Sequence, residues 1–410
     1  MIPLHRSSPC PASRDEQRLE CDKQWADPFC LKKKRRPSYA AAAEGASFVP
    51  WVKSGYMWEK GKCCVTENES KISIVVPVYN DPQNLRECLT ALQQEARAPA
   101  AEILVVDDAS SDETPTVASQ LGVTVLRLPK NSGPAAARNY GAWHARGDIL
   151  FFVDADVVIA PGAIERVLNA FASQPDLIAV FGSYDAHPRA EEWISQYRNL
   201  LHHFVHQTGN PHASTFWAGC GAIRRTVFLA LGGFDEKRFP RASIEDIELG
   251  YRLRDAGYRI FLDKALQGTH LKRWTLRSMM WTDIVSRAIP WSRLIVARKH
   301  AINDLNLSIA QRVSVALVGV AVIAFVGAVL QRELLILALL ALVGVGVLNH
   351  ALYSFFFRQR GLLFACFCVP LHFLYYFCSG LSYAYVLVDT RLQGATASAR
   401  AVEEEDVHDA

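Results

Sequence analysis

A surplus of charge of either sign is what this chain of 410 residues lacks most: 44 Lys and Arg stand against 41 Asp and Glu, a formal net charge of +3. Bulk electrostatics therefore offers little to a phosphate backbone, and no nucleic-acid partner is expected. The 10 cysteines include no Cys-x-x-Cys pair. That excludes the usual zinc-binding spacing, and all are read as reduced thiols or small residues facing lipid. The opening stretch MIPLHRSSPCPASRDEQ has no apolar core, so no cleavable signal peptide is expected there. Up to residue 70 there is no hydrophobic periodicity, only a basic run, KKKRR at 32–36. Residues 1–70 are expected to be a disordered extension with a weak affinity for anionic lipid, or else an untranslated one up to residue 64, with the true start near Val65.

What the chain has in excess is apolar sequence towards its C-terminus. Residues 313–330 carry no charge, and 334–357 and 361–388 are nearly as apolar. A bilayer core is crossed by about 20 apolar residues in a helix. About three transmembrane helices are therefore expected over 309–390, followed by a disordered acidic tail, 391–410. Arg312 before the first run and Arg358 and Arg360 after the second place the preceding domain on the cytosolic side by the positive-inside rule. A multi-pass protein of the cell inner (plasma) membrane with a cytoplasmic catalytic domain is the expected arrangement.

Between these regions apolar runs alternate with helical stretches. ISIVVPV (72–78), EILVVDD (102–108), VTVLRL (123–128) and ILFFVD (149–154) read as strands, with helical sequence between them. Continuous apolar strands separated by helices predict a parallel sheet covered on both faces. Ligands of such sheets bind at the carboxyl ends of the strands. There the chain places Tyr79 and Asn80, then Asp107 and Asp108, then Asp154 and Asp156. Carboxylates that converge repel one another unless a cation lies between them, which points to a hard divalent metal carrying phosphates.

SIVVPVYND, LVVDDASSDET, NSGPAAARNYGAWHARGDILFFVDADV, GCGAIRRTVFLALGGFDE and IEDIELGYRLRDAGYRI follow one another over about 200 residues from Lys71 to about His270. In that order they resemble the family 2 glycosyltransferases. The resemblance implies an α/β, GT-A nucleotide-sugar-binding domain (Rossmann-like, mostly parallel sheet) over 71–270. It implies a donor site built from Pro77, Tyr79, Asp108, Arg138, Asp154 and Gly219. Tyr79 and Asp108 would meet the base of a nucleotide-sugar, Arg138 the base or diphosphate, and Asp154 the ribose. Asp156, with His270, would hold Mn2+ or Mg2+. Asp246 would be the general base of an inverting transfer, with Glu245 beside it. Without the resemblance, Glu245 and Asp246 are no more than acidic residues in a first helical turn.

His202 and His206 are four apart on a helical stretch, 190–209, yet no third ligand accompanies them, so the helix is assigned to the acceptor side. Residues 271–308 mix Trp274, Trp281 and Trp291 with basic residues, as helices lying in the headgroup layer do. Processive polysaccharide synthases carry Gln-x-x-Arg-Trp in this region, whereas this chain has RAIPW at 287–291. The reading favoured is a membrane-bound inverting glycosyltransferase that moves a sugar, UDP-linked by preference, to a lipid or lipid-linked acceptor at the cytosolic face. A processive synthase of a cell-surface glycan and a non-catalytic membrane scaffold remain open at this point. The sugar and the oligomeric state are not legible.

Overall fold

The structure, a computed structural model, describes residues 71–96, 101–298 and 303–408, the stretch 394–408 as backbone alone. The expectations for residues 1–70 fall outside the described residues.

β-Branched residues dominate the first strand, β1 (Ile72–Val78), and all seven of its residues are buried, as in a strand covered on both faces. It is followed by α1 (Pro82–Glu95), β2 (Ala101–Asp107), α2 (Thr114–Gln120), β3 (Thr124–Arg127), α3 (Pro134–His144) and β4 (Ile149–Val153). These four strands pair in parallel, with β1 between β2 and β4. Pro77 lies past Val75, the last residue of β1 paired with β4, where a missing N–H removes no rung on that side. The chain continues through β5 (Val157–Ile159), α4 (Ala163–Ser173), β6 (Leu177–Tyr184), α5 (Trp193–Thr208), β7 (His212–Ala213), β8 (Cys220–Arg224), α6 (Arg225–Ala230), α7 (Glu245–Asp255) and β9 (Arg259–His270). β8 runs antiparallel to β4 and β6, whereas β9 is parallel to β6 and antiparallel to β5 and β7. The result is one mixed sheet of order β3-β2-β1-β4-β8-β6-β9-β5, with β7 beside β9.

Alternation along β1 divides the core. Ile74 and Val76 pack on one face with Leu85 and Leu89 of α1, while Val75 packs on the other with Ala135 and Ala142 of α3. The strand order reverses between β1 and β4, so the carboxyl ends of β1, β2 and β4 flank a crevice.

Beyond β9 come α8 (Leu276–Trp281), a π-helix (Thr282–Ala288), α9 (Ile289–Arg298), α10 (Ile309–Gly327), α11 (Leu334–Leu348) and α12 (His350–His408), the last turned at Gly361 with φ 84°. Among the described residues, Ile309–Gly327 and His350–Gln393 are long and apolar enough to cross a membrane, while Leu334–Leu348 is shorter. The run 334–357 is thus not one helix. Asn349 interrupts it, its amide donating to the Ser314 hydroxyl (3.0 Å) and the Val345 carbonyl (2.9 Å). Past that break Leu352 and Phe356 pack against Tyr197 and Leu200 of α5, and Arg360 donates to the Gln196 side chain (2.9 Å). The tail expected to be disordered is helical in its backbone to His408. Its Ala- and Glu-rich sequence has no proline to stop it and good intrinsic helix propensity.

Candidate active site

Two turns at the ends of β1 and β2 shape the crevice. Asn80 (φ 50°) and Ala109 (φ 62°) take left-handed backbone, a cost tolerated where surrounding bonds over-determine the chain. Asn80 N–H donates to the Ser110 hydroxyl (2.9 Å), and Ser111 N–H donates to the Asn80 side chain (2.8 Å). Asp107 stays out of the crevice. It accepts from Ser110 N–H (3.0 Å) and pairs with Arg127 (3.2 Å), which is the turn-capping role its position suggests.

Asp108 is buried and accepts from the N–H groups of Ser132 (2.7 Å) and Gly133 (2.8 Å). Burial raises its pKa, and the two N–H groups offset part of that rise. Gly133 opens α3 with φ 89°, and a Cβ there would run into the Pro240 carbonyl. Gly133→Ala is therefore expected to displace this turn and to weaken nucleotide binding, as titration calorimetry with a nucleoside diphosphate would show.

Arg138 on α3 is buried and bridges two carboxylates. It donates to Asp154 at 2.6 Å and to Glu245 at 3.0 Å. Burial alone would lower its pKa, but Asp154 and Glu245 more than reverse that and hold it charged. Glu245 is held at its other oxygen by Ser243 N–H (2.9 Å). Asp246, next on α7, accepts from Ala218 N–H (3.1 Å) and from Ile247 N–H (2.8 Å). Burial and the neighbouring Glu245 charge push its carboxyl up to about 7, against the pull of Arg138.

Asp156, just before β5, and His270, at the end of the paired β9, lie side by side with Oδ2 and Nε2 3.6 Å apart. Burial raises the Asp156 pKa, but His270 and Lys272 outweigh it and hold the carboxyl below its ordinary value. The His270 ring stacks on Tyr184 at 4.1 Å. Among the described residues no group of three His, Cys, Asp or Glu side chains is gathered as a metal site. A carboxylate and an imidazole on one wall still suit a hard divalent ion whose remaining ligands come from a diphosphate.

These groups line one cavity of about 700 Å3, together with Pro77, Tyr79 at its half-exposed rim, and Trp217. Gly219 does not line it. Its carbonyl instead accepts from Asp154 N–H (3.1 Å), so it positions the aspartate from behind. His202 and His206 lie 4.0 Å apart within an aromatic cluster with Tyr184 and Trp217. The Gly182 carbonyl lies 2.9 Å from His206 Nδ1, burial lowers the pKa of both imidazoles, and no third ligand joins them among the described residues, so the pair packs in the aromatic cluster.

Residues 73–232 match the model of a family described as Glycosyl transferase family 2. The chain carries a family 2 glycosyltransferase domain. The pre-mycofactocin glycosyltransferase of Mycobacterium tuberculosis is 30% identical over 217 residues, 50% of this chain and 44% of that protein. The dolichol-phosphate mannosyltransferase of Pyrococcus furiosus is 27% identical over 206 residues, 49% of this chain and 54% of that protein. The chain thus spans about half the length of the curated relatives it matches. A mannosyltransferase from Pyrobaculum calidifontis, solved with GDP-Man and Mn2+, is 17% identical with a TM-score of 0.49, over 77% of this chain and 88% of that one.

Around the candidate site the structure adds side chains that sequence reasoning left elsewhere. Tyr184, at the end of β6, was open to the same strand-end rule that found Tyr79 and Asp108. Arg198 and Arg287 also line the cavity, and so does Trp291. The last two stand in the stretch assigned to the headgroup layer, and no local pattern shows that its π-helix and α9 wall the active site.

Proposed function

We propose that this protein is a membrane-bound inverting glycosyltransferase that moves a sugar from a nucleotide-sugar, a UDP-sugar by preference, to a lipid or lipid-linked acceptor at the cytosolic face of the cell inner membrane. The observation that carries the proposal is Asp246. Its carboxyl, pushed up to about 7, faces the same cavity as Asp108, Asp154 and Asp156. A base poised near neutrality takes a proton best at working pH.

In the proposed reaction Tyr79, Pro77 and the Asp108 turn seat the base, and Asp154 offers the ribose its Oδ2, which makes no hydrogen bond among the described residues. Asp156 and His270 would hold Mn2+ or Mg2+, whose chemistry there is to neutralise charge on the diphosphate. An acceptor hydroxyl oxygen attacks the anomeric carbon from the face opposite the diphosphate, and its proton passes to Asp246. The bond from that carbon to the diphosphate oxygen breaks, the nucleoside diphosphate leaves, and the configuration inverts.

The lipid side of the proposal rests on the C-terminal helices. Only 22% of the apolar window in Ile309–Gly327 is buried, whereas a core helix of a soluble protein would be covered. Large side chains such as Ile323, Phe325 and Leu339 face outward, as a lipid environment allows. The name of the Pyrococcus furiosus relative, a dolichol-phosphate mannosyltransferase, supports a lipid acceptor. The test is transfer by the full chain in detergent, with a panel of nucleotide-sugars and native lipid extract. A discrete radiolabelled lipid is expected, a long polymer would favour a processive synthase, and no product from any donor would sink the proposal. Asp156→Ala is expected to abolish stimulation by Mn2+ and to leave only the rate seen with chelator. Undiminished metal activation in that variant would refute the assignment.

A further inference from the structure

A second cavity, of about 470 Å3, adjoins the first and shares Arg198, His202, Arg287, Trp291 and Asn306 with it. It runs from the active site to α10 and α12, and its lining is of two kinds. Towards those helices its walls are Val315, Ala316, Ile295 and the rings of Tyr375, Tyr376 and Tyr383. Against one carboxylate, Asp283, the cavity sets three arginines: Arg198 and Arg287, which also line the active site, and Arg312 in the first turn of α10.

Only one of these cations is answered. Arg198 pairs through Nη2 with Asp283 Oδ1 at 2.7 Å, and both are buried. Arg287 and Arg312 have no ion pair or side-chain hydrogen bond among the described residues. Both side chains are exposed, and Arg287 opens on the first cavity as well. Unpaired cations in the lining of an otherwise apolar, aromatic cavity match an amphiphile with an anionic head and a hydrocarbon chain.

We propose that this cavity seats the acceptor through a phosphate: a lipid-linked saccharide whose phosphate lies between Arg287 and Arg312, whose chain leaves along α10 and α12, and whose sugar hydroxyl reaches Asp246. This rests on the transferase reading above and narrows its acceptor to phosphate-bearing lipids. Arginine suits such a group because its planar fork donates two parallel hydrogen bonds to phosphate oxygens. The polar and apolar parts are then read by different residues, and the saccharide spans the junction of the two cavities.

The test measures binding without turnover, by calorimetry on the full chain in detergent and without metal. The probes are farnesyl phosphate, farnesol and dioleoylphosphatidylglycerol. Wild type is expected to bind farnesyl phosphate and not farnesol. Arg287→Gln is expected to weaken that binding about tenfold or more, as loss of a charge-assisted contact should, with Arg287→Lys recovering part and Arg312→Gln weakening it as well. Equal binding of farnesol, or full affinity in both glutamine variants, would overturn the proposal. So would phosphatidylglycerol competing equally, since the site would then hold a bulk headgroup, or Arg287→Gln weakening UDP binding instead, since the arginine would then serve the donor. Phosphate-dependent farnesyl binding in a protein that transfers no sugar would uphold this site while sinking the transferase reading.

Discussion

Asp246→Asn is expected to lower transfer by roughly 10²–10⁴-fold, the range in which positioned acid–base groups contribute, while nucleotide binding stays near wild type. Asparagine keeps the shape of the side chain and can still accept from Ala218 N–H, but it cannot take a proton from the acceptor. In wild type, kcat/KM is expected to rise with pH through about 7 and then level off, because only the ionised Asp246 works as a base. The effect on stability has the opposite sense. A carboxyl whose pKa is raised in the folded state binds protons more tightly there than in the unfolded chain, so its stabilising contribution is complete below about pH 4 and is lost as pH climbs through about 7. Activity and stability are therefore set against each other at this residue, as is common where an active site holds a group out of its preferred state. A pH–rate profile and a pH series of thermal midpoints check both limbs. Near wild-type transfer by Asp246→Asn would mean that the attacking group is already an anion and needs no base.

The strand ends could be read from sequence because buried parallel strands are uninterrupted apolar runs, and the first polar residue after each marks its exit. That logic located Tyr79, Asp108, Asp154 and Asp156, all of which line one cavity. It did not give strand direction, since antiparallel β8 is as apolar as its parallel neighbours, with Cys220, Gly221, Ala222 and Ile223 all buried. Nor could it foresee that Arg138 meets Glu245 across 107 residues of sequence, because only the tertiary fold brings those two positions together. Hydrophobicity likewise assigned 334–357 to one helix. Asn349 divides that run by finding partners on α10 and α12, a tertiary effect that a local window does not contain.

Arg138→Met is expected to destabilise the protein by roughly 3–5 kcal/mol, the cost of leaving a buried charge without its partner. Glu245 would be that charge, since its side chain is 5% exposed, whereas Asp154 at 29% can draw on water. The double variant Arg138→Met with Glu245→Gln should regain much of the lost thermal midpoint. A single variant as stable as wild type would show that the pair carries no such burden. The same arginine also tunes the base. Its positive charge pulls the Asp246 pKa down while the Glu245 charge pushes it up. The acid limb of the pH–rate profile should therefore move to higher pH in Arg138→Met and to lower pH in Glu245→Gln. Opposite displacements from two side chains that touch each other would separate charge tuning from general loss of structure, because misfolding lowers the plateau without moving the limb. Arg138 would then join the donor side, through Asp154, to the acceptor side, through Glu245 and Asp246, so that one buried cation sets both the geometry of the sugar donor and the proton affinity of the base.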